Sequence, residues 1–147
     1  VLLSYGEHVE TDYSRKKVLL AVRPKDTQMV QALGENINVV VRHTCEDAKA
    51  ALNENIGLIV CGVHFDSGQM FEFLRFAKQH PKGKSIPFVV VLGETGRYSP
   101  AIIQGIERAV KVRGADAFFD IAKKIQAWGK EEAFVQIQQK ILQRLSE

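Results

Sequence analysis

The sequence predicts an α/β fold: a three-layer αβα sandwich around a five-stranded parallel sheet of order 2-1-3-4-5. Three observations predict it. Short runs rich in Val, Ile and Leu alternate with longer amphipathic segments along the chain. The short runs are apolar at nearly every position, as strands covered on both faces are. Parallel neighbours joined through helices need right-handed crossovers, which the flavodoxin-like order accommodates. The 147 residues suit one domain. Hydrophobic residues at 46% and charged residues at 25% give the balance of a globular chain rather than a disordered one.

The strands are expected at Val18–Val22, Ile37–Val41, Ile56–Cys61, Pro87–Leu92 and around Ala117–Phe119. Each is too short for a helix and most are β-branched. The first helix follows Asp26 or Thr27, runs to about Leu33 and ends at Gly34. Thr44 and Asp47 form a Thr-x-x-Asp start for a second, through Leu52. Ser67 leads into a third carrying Met70, Phe71, Phe73, Leu74 and Ala77, closed near Pro81. Ser99-Pro100 gives the fourth an N-cap followed by Pro at the first helical position, and Gly114 stops it. The fifth spans about Lys130 to Leu145, with Ala133, Phe134, Ile137, Ile141, Leu142 and Leu145 on one stripe. Residues 121–129 form a link with room for one short helix. Residues 1–16 form an arm outside the alternation, leaving 17–147 as the domain.

Composition excludes several classes. No apolar run approaches the ~20 residues of a membrane-spanning helix. Glu7, Glu10 and Asp12, without a long apolar centre, argue against a secretory leader in residues 1–16. The net charge of +3 comes from scattered Lys and Arg rather than a basic face with interleaved aromatics, so nucleic acid is not the expected partner. Two cysteines, Cys45 and Cys61, make no disulfide framework and suit a reducing cytoplasm.

The segment Gly114-Ala115-Asp116-Ala117-Phe118-Phe119 resembles the Gly-Ala-x-x-aromatic approach to the fifth strand of the receiver domains of bacterial two-component response regulators. Phe71-Glu72-Phe73-Leu74-Arg75 is similar to the start of that family's third helix, and Pro87 before an apolar fourth strand is typical of it. The resemblance spans about Lys17 to Leu145. It implies the same fold and a role in bacterial signal transduction or transcription regulation.

The resemblance also implies where the family's phosphorylation residues fall, and there the chain departs. Val22 and Arg23 stand at the acidic pair that holds Mg²⁺. Gly62 stands at the phosphoacceptor, Leu92 at the hydroxyl and Ile121 at the lysine. A slip of one residue offers Pro24, Cys61, Gly93 and either Asp120 or Ala122, and restores none of them. Mg²⁺ prefers hard oxygen ligands around an octahedron. Gly62 has no side chain to phosphorylate, and without cation or lysine nothing neutralises a transferring phosphoryl group. The expectation is a degenerate receiver that is not an enzyme, holds no metal or cofactor, and acts through a protein partner.

Two faces are candidates for that contact. One is the side of the fourth helix, fifth strand and fifth helix, with Arg108, Lys111, Phe118 and Lys123, where a homodimer would also fit. Phe118 and Phe119 point to opposite layers, and Trp128 reads as a packing anchor. The other face is the carboxyl edge around Arg23, which either pairs with Asp66 or Glu94 in the vacated cation position or lies solvated beside Pro24. Leu2, Leu3 and Tyr5 of the arm would add contacts. Asp66 itself reads as a loop residue beginning the third helix.

An alternative function is a small-molecule or anion sensor at the carboxyl edge, using Arg23, Lys25 and the Gly93–Gly96 loop. The glycine patterns of nucleotide-binding loops are missing, and no nucleophile elbow appears. His43, Cys45, Cys61 and His64 are zinc ligands by type. The predicted strand order separates the ends of strands two and three by strand one, and this argues against a shared tetrahedral site.

Overall fold

The computed structural model describes residues 16–26, 37–93 and 98–145. Five strands, β1 (Lys17–Ala21), β2 (Val39–Arg42), β3 (Ile56–Gly62), β4 (Phe88–Leu92) and β5 (Ala117–Asp120), form one parallel sheet in the order β2-β1-β3-β4-β5. The described helices are α1 (Cys45–Ala51), α2 (Met70–Gln79), α3 (Pro100–Val112), α4 (Ile121–Trp128) and α5 (Lys130–Leu145), with single 3₁₀ turns at Pro24–Asp26 and Gly83–Ser85. The fold class is the expected one. The helix expected after Asp26, most of the arm and the Glu94–Gly96 part of the loop lie outside the described residues.

The sheet divides two cores. Leu19 and Ala21 of β1, with Ile59 and Cys61 of β3 and Phe88 and Val90 of β4, pack against α1, α2 and Val110 of α3. Val18, Leu20 and Val22, with Leu58, Val60, Val89 and Val91, pack against Ile137, Ile141 and Leu145 of α5. The continuous apolar runs are thus two interleaved period-two patterns, one per face. Fully burying one such side chain stabilises by about 1.5–3 kcal/mol, which is why neither layer could be shed cheaply. Three tilted rings, Phe65, Phe73 and Phe88, join β4, α2 and the loop after β3, with centroids 5.9 and 5.7 Å apart.

Local chemistry places the helix starts. The Thr44 hydroxyl accepts from the Asp47 N–H at 3.1 Å. Ser99 accepts from Ile102 N–H at 3.3 Å ahead of Pro100, and Asp120 accepts from Lys123 N–H at 3.0 Å. These satisfy backbone donors that a helix leaves open. The third expected helix begins later than Ser67. Asp66, Ser67 and Gly68 all have positive φ (45°, 55° and 93°), and α2 starts at Met70 behind Gln69, which makes no side-chain cap. The second strand likewise begins at Val39 rather than Ile37.

Gly57 marks a bulge where the β1–β3 register jumps from Lys17↔Ile56 to Val18↔Leu58. A Cβ there would lie 2.9 Å from Leu145 Cδ1 and 3.1 Å from Lys16 Cβ. The glycine lets the end of α5 seat on the sheet.

Candidate functional site at the carboxyl edge of the sheet

In this fold ligands meet the carboxyl ends of the strands, so the strand ends come first. Val22 follows β1 and is fully buried. Gly62 ends β3, with its missing Cβ 3.7 Å from Val22 Cγ1. Leu92 ends β4, opposite Asp120 of β5, and is buried. Ile121 opens α4 directly after β5, and with Ala122 it is buried. Four of the five positions implied by the family resemblance therefore offer hydrocarbon or hydrogen, and all four are buried. None of the four has a side-chain oxygen or nitrogen to ligate a cation or take a phosphoryl group.

Arg23 is the fifth. The Pro24–Asp26 turn, closed by Asp26 N–H donating to Arg23 O at 2.9 Å, brings its guanidinium onto Asp26. Nε donates to Oδ2 at 3.0 Å and Nη2 to Oδ1 at 3.3 Å, a two-pronged pair on largely covered side chains. Of the alternatives left open for Arg23, the described residues show neither a pair with Asp66 nor a solvated side chain, because a single 3₁₀ turn brings Asp26 within short range. Asp66 instead accepts the Cys45 N–H through Oδ2 at 2.8 Å, tying the loop after β3 to the start of α1. Glu94 lies outside the described residues.

His43 Nδ1 lies 2.9 Å from the Val22 carbonyl oxygen. A carbonyl only accepts, so this nitrogen carries the proton. His64 stacks on Tyr98, with centroids 5.7 Å apart and planes at 15°. Arg23, His43, His64, Asp66, Ser67 and Gly68 line an open cavity of about 560 Å³. The four residues of zinc type are not gathered: the cysteines are buried within the core, while the histidines line the cavity. Among the described residues no group of three or more His, Cys, Asp or Glu is placed to hold a metal. Burial pushes the Cys61 thiol well above its ordinary range, with a further push from Cys45, and burial raises Cys45 too.

The other candidate face is only partly assembled. Arg108 and Lys111 line a cavity of about 460 Å³ with Gln104, Glu107 and Val112, and Lys111 is paired with Glu107 at 2.9 Å. Phe118 is half-buried against the core on the α3 side, whereas Phe119 is buried on the α5 side. Lys123 is exposed in the first turn of α4. Trp128 is not the buried anchor expected: it ends α4, 47% exposed, beneath Lys124 Nζ at 5.0 Å from its ring.

Sequence reasoning missed the Asp66–Cys45 and His43–Val22 contacts and the left-handed Asp66–Ser67 pair. Each depends on how two loops meet, which periodicity does not encode. No helix among the described residues is long and apolar enough to cross a membrane.

No protein family's sequence profile matches the chain, and no curated protein matches it. Solved structures do. The phosphorylated cyanobacterial phytochrome response regulator RcpA is 20% identical, with a TM-score of 0.66 over 86% of this chain and 91% of its own. The receiver domain of sensor histidine kinase PA1611 from Pseudomonas aeruginosa, with magnesium coordinated in its active site cleft, is 13% identical, with a TM-score of 0.62 over 90% and 98%. The chemotaxis response regulator CheY4 of Vibrio cholerae is 23% identical, with a TM-score of 0.59 over 88% and 98%. At these identities the likeness is one of fold: the chain has the architecture of receiver domains.

Proposed function

We propose that residues 17–147 form a receiver-like domain that has lost phosphoryl transfer, catalyses no reaction of its own and signals in the bacterial cytoplasm by contact with a protein partner. The observation that carries this reading is that Val22, Gly62, Leu92 and Ile121, buried at or just beyond the strand ends, bring no side-chain oxygen or nitrogen there. Of the solved neighbours, RcpA is phosphorylated and the PA1611 receiver domain holds magnesium. Such chemistry needs oxygen ligands and an acceptor side chain at these positions, and here they are missing. The contact face is the α3–β5–α4 side with Arg108, Lys111, Phe118 and Lys123.

The test is direct. The full chain is incubated with Mg²⁺ and acetyl phosphate, and separately with beryllofluoride, then followed by intact mass and by amide NMR spectra. Both are expected to stay unchanged. A stoichiometric, acid-labile phosphoryl adduct overturns the reading.

A second reading is favoured by the cavity at Arg23, His43, His64 and Ser67, which fits a small molecule or anion at the carboxyl edge. It predicts that a ligand raises the melting temperature in proportion to RT ln(1 + [L]/Kd). A metabolite and nucleotide screen without any shift removes it.

A further inference from the structure

Helix α3 carries two apolar faces, and the sheet uses only one. Val110 is its single fully buried residue, and Ile106 packs on the same core. The second face is Ile102, Gly105, Ala109 and Val112, at spacings of three, four and three residues. This is the a/d seam by which one helix meets another. Ile102 is 52% and Val112 79% exposed, and a Cβ added to Gly105 would find no atom within 4 Å. Among the described residues, the seam faces open space. A helix apolar on two faces normally has both covered.

The charges beside the seam indicate what covers it. Arg108 flanks one side and Arg113 the other. The Arg113 guanidinium donates to Ala109 O at 3.1 Å and lies 5.3 Å from the Phe71 ring of α2. The only acid on the helix, Glu107, is taken by Lys111. Both flanks are thus cationic. A second copy presenting the same seam would set arginine against arginine, which disfavours self-pairing. Nucleic acid is also a poor match, because the seam itself offers aliphatic groups, and the Phe71 ring at its flank is already met by the Arg113 guanidinium.

We infer that the seam of α3 docks an acidic amphipathic helix of a partner protein, apolar along one stripe and flanked by Glu or Asp that meet Arg108 and Arg113. This is the helix-on-groove mode of recognition, with spaced apolar anchors and charge setting partner choice. It rests on the reading of the chain as a protein-contact module. The two fail separately, since a phosphoryl adduct sinks that reading and leaves the seam's partner as it stands.

The test titrates the full chain, followed by amide NMR, with two synthetic helical peptides that share a Leu seam, one flanked by Glu and one by Lys. A single-stranded RNA is titrated in parallel, and sedimentation reports self-association. The Glu peptide is expected to shift the amides of residues 102–113, to weaken with salt, and to bind roughly tenfold more tightly than the Lys peptide. Arg108→Glu combined with Arg113→Glu reverses the preference. Val112→Gln, at a solvated position and without charge at the helix C-terminus, abolishes the response and leaves the melting temperature nearly unchanged. Equal binding of both peptides, shifts confined to other elements, an α3 response to RNA in place of peptide, or a dimer formed through α3 each overturns the inference.

Discussion

Asp116 holds the starts of two strands together. Its own N–H donates to Phe88 O at 2.8 Å, and its Oδ2 accepts the Phe88 N–H at 2.7 Å. Lys78 Nζ stands 3.6 Å from that carboxylate and donates to Ile86 O at 3.1 Å. Removing the carboxylate leaves the Phe88 N–H without its acceptor, and such a donor costs about 1–3 kcal/mol. Asp116→Ala is therefore expected to lower urea stability by that order, and Asp116→Asn, which keeps an acceptor oxygen, by less. Equal losses would place the effect elsewhere than in the hydrogen bond. In the sequence Asp116 is visible only as part of Gly114-Ala115-Asp116; its partner, 28 residues away, is set by how β4 and β5 align. The apolar residues at Val22, Gly62, Leu92 and Ile121 were legible because strand ends can be counted along the chain. Gly62 tests that edge. A Cβ meets only Val22 at an ordinary distance, so Gly62→Ala is expected to stay within about 1 kcal/mol of the parent. Gly62→Asp places a carboxylate at a buried position beside Val22 and is expected to cost several times more at neutral pH. Burial raises that carboxyl's folded-state pKa, so the deficit shrinks as pH falls and the acid protonates. A deficit independent of pH would show the edge to be wetter than its side chains imply.

At the scale of elements, α1 and α2 are joined across the surface by charge. Lys49 Nζ of α1 donates to Glu72 Oε2 at 3.0 Å, and Arg75 grips the same carboxylate at 2.8–3.1 Å. Lys49 also lies 4.8 Å from the Phe76 ring centroid. The hydrogen bond from Lys49, and then that from Arg75, lower the Glu72 carboxyl below its ordinary value. A folded-state pKa below the unfolded one gives stability that is present above the unfolded value and lost as pH falls through the folded one. Stability is thus expected to decline on acidification below the usual Glu range, and Glu72→Gln to flatten that part of the profile in urea melts at stepped pH. The pair is only partly covered, so the effect is small and fades in high salt. An unaltered profile in Glu72→Gln would remove the carboxylate from the acid response. Element positions were largely legible: Thr44 and Ser99-Pro100 announce their helices by side chains that must cap something. The start of α2 was not, because Ser67 lies inside a left-handed turn, with the Gly68 and Gln69 N–H groups both donating to Phe65 O, rather than at an N-cap. The outer seam of α3 was not legible as a face of its own, since Gly105 is a weak signal until the open space beside it is seen.

For the whole molecule, the sheet is the shared wall of both cores. β1 sends Leu19 and Ala21 to one side and Val18, Leu20 and Val22 to the other. Neither layer of helices can leave without exposing a face of the same strands, which ties the two cores into one cooperative unit. Phe73 fills the α2 side and Ile137 the α5 side, both buried. Phe73→Ala is expected to cost about 3–5 kcal/mol and Ile137→Ala about 2–5 kcal/mol through lost transfer energy and the cavity left behind. Because the two sites share no contact surface except through the strands, their effects are expected to add in the double variant. Each single variant is also expected to show one transition, with far-UV and near-UV circular dichroism coinciding at a lower denaturant midpoint. Separate transitions, with Ile137→Ala melting the α5 side ahead of the α2 side, would make α5 an independently detachable layer. That outcome would also weaken the case for a rigid module presenting a fixed outer face: Ile121, buried just after β5, belongs to the same core as Ile137.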